Sequence, residues 1–204
     1  MQAANRGAMG TDLELCLDFT DTVDWRTSNH AKERLDTYAA LLNWSSEKGL
    51  LDRKQVEALG RAASRRDMTP VLTEAFRLRE AIFRIFSAIA HKKRALPGDL
   101  DILNEYLAKS LARMVVMETG EGYEWGLSCD VAPDMMLYQI AESAAMLLTS
   151  RDLARVRECA NEEEGCGSLF LDCSKSQTRR WCSMESCGNR AKSRTFYDRH
   201  LRAP

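Results

Sequence analysis

RRWCSMESCGNRAKSRTF, residues 179–196, decides how the rest of this chain is divided. It sets two cysteines, a tryptophan, a Gly-Asn pair and five basic residues into eighteen positions. A stretch this polar and this rich in thiols cannot be packed core. It must be a redox site or a small unit held by metal. Working outward, Cys159, Cys166 and Cys173 precede Cys182 and Cys187, so five of the seven cysteines fall within 29 consecutive residues. The spacing is C-x6-C-x6-C-x8-C-x4-C. The cysteine number is odd, and the first ten residues contain no apolar signal-like run. A disulfide framework is therefore not expected, and clustered thiols point to metal or redox chemistry.

Charge separates the same end from the rest. From Gly165 to Pro204 there are eight Lys/Arg against three Asp/Glu, a balance of +5, while the other 164 residues carry −6. Such asymmetry marks an anion-binding end or one that docks on its own acidic body. Apolar residues make up 45% of the 204, enough for a real core, and no apolar run approaches the ~20 residues that span a bilayer.

Upstream, the periodicity is helical. Leu13–Trp25 reads as a partly helical entry segment. Leu35, Tyr38, Leu41 and Leu42 line one face of a helix that Gly49 stops, and Asp52 caps the next, which carries Val56, Leu59 and Ala63. Thr69-Pro70 opens the most apolar helix, with Ala75, Leu78, Ile82, Ile85, Phe86 and Ile89 wrapping it, as a central bundle helix requires. Residues 100–114 resume the pattern. Residues 112–128 alternate around a Gly-Glu-Gly turn and read as one β-hairpin. Pro133 precedes a helix over 134–149, and 151–159 reads as a short last helix leading into the cysteines. The expected fold is mainly α: a helical bundle with one β-hairpin over residues 1–155, then a small module over 156–204 in which four of the five cysteines hold a metal.

Four thiolates around one Zn²⁺ make a closed tetrahedral site, which can hold a unit too small for a core of its own. Within the module, Leu169–Asp172 reads as a strand against Trp181. The residues from Asn189 onward read as a helix, with Phe196 and Tyr197 on the face turned back to the module. Lys175, Arg179 and Arg180 come from the preceding loop. Asn189, Arg190, Lys192 and Arg194 come from the helix and its start. Together they are the candidate nucleic-acid contacts, placed where a helix N-terminus already favours anions. Asn189 has a plainer role open to it, capping the helix.

Residues 157–200 closely resemble the CGNR zinc finger, through Cys187-Gly188-Asn189-Arg190 and the longer RRWCSM–CGNR–K pattern. LCLDFTDTVDWR (15–26), FRLREAIFRIF (76–86) and LLTSRDLARVREC (147–159) resemble the helical ABATE domain. The resemblance implies a bacterial, stress-induced transcription regulator in the cytoplasm, with one structural Zn²⁺ and DNA as partner. It implies Cys159, Cys166, Cys182 and Cys187 as ligands. Cys173 departs from the family pattern, and Cys166, Cys173, Cys182 and Cys187 also form a conceivable set. His200 completes C-x4-C-x12-H but reads better as a solvated residue.

In the body, Asp18, Asp21 and Asp24 sit three apart. Their plain reading is turn capping, or pairing of Asp18 or Asp21 with a buried arginine such as Arg79. Asp18, Trp25, Arg26 and Arg79 are the candidates for a small-molecule effector pocket, and a homodimer is compatible with the body. No catalytic motif is present, so an enzyme is not expected. Two other functions compete with DNA binding. One is a protein–protein adaptor in which the finger docks on a partner. The other is a thiol or zinc sensor using Cys173 as a spare thiol.

Overall fold

The computed structural model describes residues 12–128 and 131–201. Cys129 lies outside them. Seven α-helices and three two-stranded antiparallel pairs are described.

The body is built from α1 (Leu15–Thr20), α2 (Tyr38–Glu47), α3 (Arg53–Ala63), α4 (Thr69–Ala90), α5 (Pro97–Leu111) and α6 (Met135–Thr149). The starts of α2 to α5 have local causes. Thr37 accepts the Ala40 N–H ahead of α2, and Asp52 with Gln55 forms a capping box on α3. At α4, Thr69 does not stand ahead of the helix as a cap. Thr69 is already helical, and its N–H donates to the Asp67 carboxylate at 2.9 Å. α5 begins at Pro97 rather than at residue 100, because proline suits the first turn, where no N–H is needed.

α4 runs through the centre, as its apolar girth predicts. Leu78, Ile82, Ile85 and Phe86 are fully buried there, and α6 contributes Met136, Leu137, Ile140 and Leu147. Ser143 ties α1 to α6, accepting the Cys16 N–H at 3.0 Å and donating to the Asp12 carbonyl at 2.7 Å. No helix among the described residues is long and apolar enough to cross a membrane.

The expected hairpin is β3 (Met114–Thr119) with β4 (Gly122–Leu127), in register Val116↔Trp125 and Thr119↔Gly122. Two pairs were not expected. β1 (Val23–Asp24) pairs with β2 (Lys32–Glu33). The second pair overturns the short helix over 151–159. Arg151–Arg155 makes one 3-10 turn, and Val156–Glu158 is β5, paired with β6 (Leu169–Leu171). Leu153 and Val156 are spaced for a helix, but strand pairing with residues 11 to 15 positions downstream prevails, and no local pattern reports it. Val156, Leu169 and Leu171 join the same core as the body helices. Packing therefore continues across the compositional boundary. α7 (Asn189–Leu201) closes the described chain.

Candidate metal centre

Cys159 leaves β5 with its N–H still in the ladder, donating to the Ser168 carbonyl at 2.8 Å. A 3-10 turn, Glu162–Glu164, then reverses the chain through Gly165, which has φ +67°. Cys166 follows, its N–H on the Asn161 carbonyl at 3.2 Å. In the second cysteine pair, Cys182 precedes a single π-helical turn, Met184–Gly188, and Cys187 lies within it. Ser183 caps that turn through the Ser186 N–H, and the Gly188 N–H returns to the Ser183 carbonyl at 2.9 Å. The two halves are joined by Ala160 N–H to Arg180 O at 2.8 Å and by Cys182 N–H to Cys159 Sγ at 3.5 Å.

Four sulfurs converge: Cys159, Cys166, Cys182 and Cys187 have Sγ atoms all within 4.8 Å of one another. The separations Cys166–Cys182, Cys182–Cys187 and Cys187–Cys166 are 3.7, 3.6 and 3.5 Å. A tetrahedron with Zn–S of about 2.3 Å has edges of about 3.8 Å, so the cage fits a zinc ion. Electrostatics agree. S–H donation from Cys166 and then Cys182 draws the Cys159 thiol down to about 4, while the Cys182 thiol is pushed up by Cys159 first and Cys166 next. Such crowded sulfurs cannot ionise independently, and a divalent cation removes that conflict. The ligands implied by resemblance are thus brought together as one four-sulfur set positioned for one metal ion. Cys173 is outside the cluster, exposed, with its sulfur 4.0 Å from the Glu14 carboxylate. His200 is outside it too, its Nδ1 2.9 Å from the Phe196 carbonyl.

The cationic candidates divide into two groups. Arg194 pairs with Glu163 and Glu164. Arg190 meets Glu164 at 3.4 Å and lies 4.4 Å over the Trp25 ring of the body. Arg179 straps the module together, donating to the Trp181 and Cys182 carbonyls and covering Phe170 at 4.6 Å. Asn189 is not seen capping α7; its side-chain N–H donates back to the Glu185 carbonyl at 3.2 Å, tying the helix start to the preceding turn. Arg180, stacked 5.2 Å over Trp181, and Lys192 line one groove of about 710 Å³ along α7. Neither they nor the exposed Lys175 has a carboxylate partner among the described residues.

The expectation that Phe196 and Tyr197 pack back on the module is wrong. Both are 59% exposed. α7 is held to the module through the ion pairs of Arg190 and Arg194 rather than by these rings, and Phe196 lines an open groove with Glu162 and Trp181. Asp172 went unnoticed in the sequence, yet it organises the basic loop. It is fully buried, takes the Ser174 N–H and hydroxyl on Oδ1, and takes the Arg179 N–H on Oδ2. Burial would raise its pKa, but these donors hold it below the usual carboxylate value. An Asp two positions before a Ser is the signal that was there to be read.

The candidate effector residues are not brought together. Arg26 and Arg79 line a shallow cavity of about 490 Å³ that Asp18 and Trp25 do not share. Both arginines are already neutralised. Arg79 donates to Glu33 at 2.8 and 2.5 Å and to Thr22 at 2.9 Å, and Arg26 donates to Glu80 at 2.7 Å. Arg79 therefore pairs with Glu33, not with Asp18 or Asp21. Asp18 instead holds Lys48 at 2.5 Å. Asp21 reaches the module, accepting the Leu169 N–H at 3.1 Å.

Body and module meet along one seam. Arg26 N–H donates to Cys166 O at 3.2 Å, and Thr27 N–H donates to Gly165 O at 3.0 Å. Two family models match the chain. Residues 13–151 match ABATE, described as "Putative stress-induced transcription regulator", and residues 155–200 match the CGNR zinc finger. No curated protein matches it. The ABATE match covers the helical body and the other covers the four-sulfur cage, so the chain belongs to the ABATE family and carries a C-terminal CGNR zinc finger.

Proposed function

We propose that this protein is a cytoplasmic, non-catalytic transcription regulator whose zinc finger contacts DNA. The observation that carries the reading is the pair Arg180 and Lys192. They line one groove beside the metal cage and lack carboxylate partners among the described residues, whereas Arg190 and Arg194 are engaged by Glu163 and Glu164. Zinc supplies the scaffold. The cage gathers loop and helix, and four thiolates fill the coordination sphere, leaving no position for a catalytic water. Lys175 adds an exposed cation on the loop that leads to Arg180. Arg179, Asn189, Arg190 and Arg194 serve the fold first.

Retention on DNA across a salt series tests this. Replacing Arg180 and Lys192 together by Ala should weaken retention. It should also flatten the slope of log affinity against log salt by roughly 1.4 to 1.8, from single strand to duplex, with zinc content unchanged. An unchanged slope in that variant would remove these residues from the contact.

A further inference from the structure

Resting on the reading above, we infer that the groove along α7 takes unpaired nucleobases, which makes the finger a site for single-stranded nucleic acid rather than a reader of the intact major groove. α7 is not dressed for a duplex. Its outward residues include Phe196 and Tyr197, each 59% exposed, and two of its arginines are tied down by Glu163 and Glu164. Against an intact duplex such rings would meet hydrated phosphate. Against unstacked bases they meet π-faces, the contact that single-strand binders use.

The rings are arranged as a platform. Phe196 and His200 stack with centroids 4.2 Å apart and planes 23° from parallel. Tyr197 stands edge-on to Phe196 at 6.3 Å. Trp181 lies across the groove, beneath the Arg180 guanidinium. The opening of about 710 Å³ is roomy enough for a nucleotide. Charge complementarity orients the strand. Arg180 and Lys192 receive phosphates. The Glu162 carboxylate in the same groove repels them but accepts from an exocyclic amine such as that of cytosine. Single-stranded DNA and RNA present this same chemistry.

The test uses the full-length, zinc-loaded protein and fluorescence anisotropy with strands of about 12 nucleotides. Four probes are compared at one salt concentration: a DNA strand, the RNA of the same sequence, the annealed DNA duplex, and a DNA strand of abasic sites. At least one base-bearing single strand should bind roughly tenfold or more tighter than the duplex and than the abasic strand, and the tighter of DNA and RNA names the source. Phe196→Ala combined with Tyr197→Ala should lower that affinity roughly five- to a hundredfold with duplex affinity and zinc content unchanged, while Phe196→Tyr retains it. Equal or tighter binding of the duplex overturns the inference and leaves the DNA reading standing. So does equal binding of the abasic strand, which needs no variant. Binding of no probe overturns both.

Discussion

Cys173 lies as far beyond Cys166 as Cys166 lies beyond Cys159, with six residues intervening in each case, yet only Cys159 and Cys166 reach the cage. The difference is direction. β6 carries the chain away from the sulfurs, and Cys173 emerges beside Glu14. The thiol is exposed, but partial desolvation and that carboxylate raise its pKa, which lowers its share of reactive thiolate. Cys173→Ser should keep one zinc per chain through dialysis, and Cys159→Ser should lose it, as metal analysis would read. The reverse pattern would transfer the ligand role to Cys173. At this scale the sequence was legible where chemistry is carried by residue type, as in the thiols. It was opaque where the partner is distant, as for Arg79, whose Glu33 lies 46 positions away.

Among the elements, the link between the Glu162–Glu164 turn and the segment around Arg26 holds module and body together. Gly165 is its tightest point. Its φ is +67°, and an added Cβ would lie 2.5 Å from Ser28 Cβ and 2.6 Å from the Ser28 backbone nitrogen, which cannot step aside. Trp25 in the same link is held at φ +55°, a conformation costly for a bulky side chain, and its ring lies under Arg190. Gly165→Ala should destabilise the protein by about 2–3 kcal/mol, adding a clash to the backbone penalty. Gly49→Ala, at φ +72° in open space, should cost about 1–2 kcal/mol. Urea midpoints of the two variants make the comparison, and equal losses would show that the close approach to Ser28 contributes nothing. α4 and α6 were plain in the sequence because an apolar stripe at helical period is a local signal. β6 also reads as a strand, but β1, β2 and β5 do not, because each has only two or three residues and exists by pairing across a chain reversal.

Over the whole molecule, the +5 tail and the −6 remainder do not form two independent bodies. Val156, Leu169 and Leu171 of the finger's hairpin sit in the same core as α1, α4 and α6, while Phe170, facing the other way, covers the sulfur cage with Trp181. A three-residue strand thus has one face in the body and one on the sulfur cage. Stripping zinc with a chelator should therefore raise amide exchange at Leu169, at Arg26 and Thr27, and in α1, as well as in the tail. Hydrogen exchange with mass detection would show this. Loss of protection confined to residues 172–201 would mean that the hairpin stands without the cage.

What the sequence determined by itself was chemistry and period. Thiols at family spacing specify a metal cage, and apolar residues at helical intervals specify a bundle, because both depend on residue type and short-range geometry. Only the tertiary structure decided which cations stay available and which rings face outward. The same Arg190 that reads as a phosphate contact is held by Glu164 and Trp25, and the Phe196 and Tyr197 that read as the face turned back to the module are left exposed. Pairing and burial depend on residues far apart in the chain, and their competition is settled when the finger seats on the body.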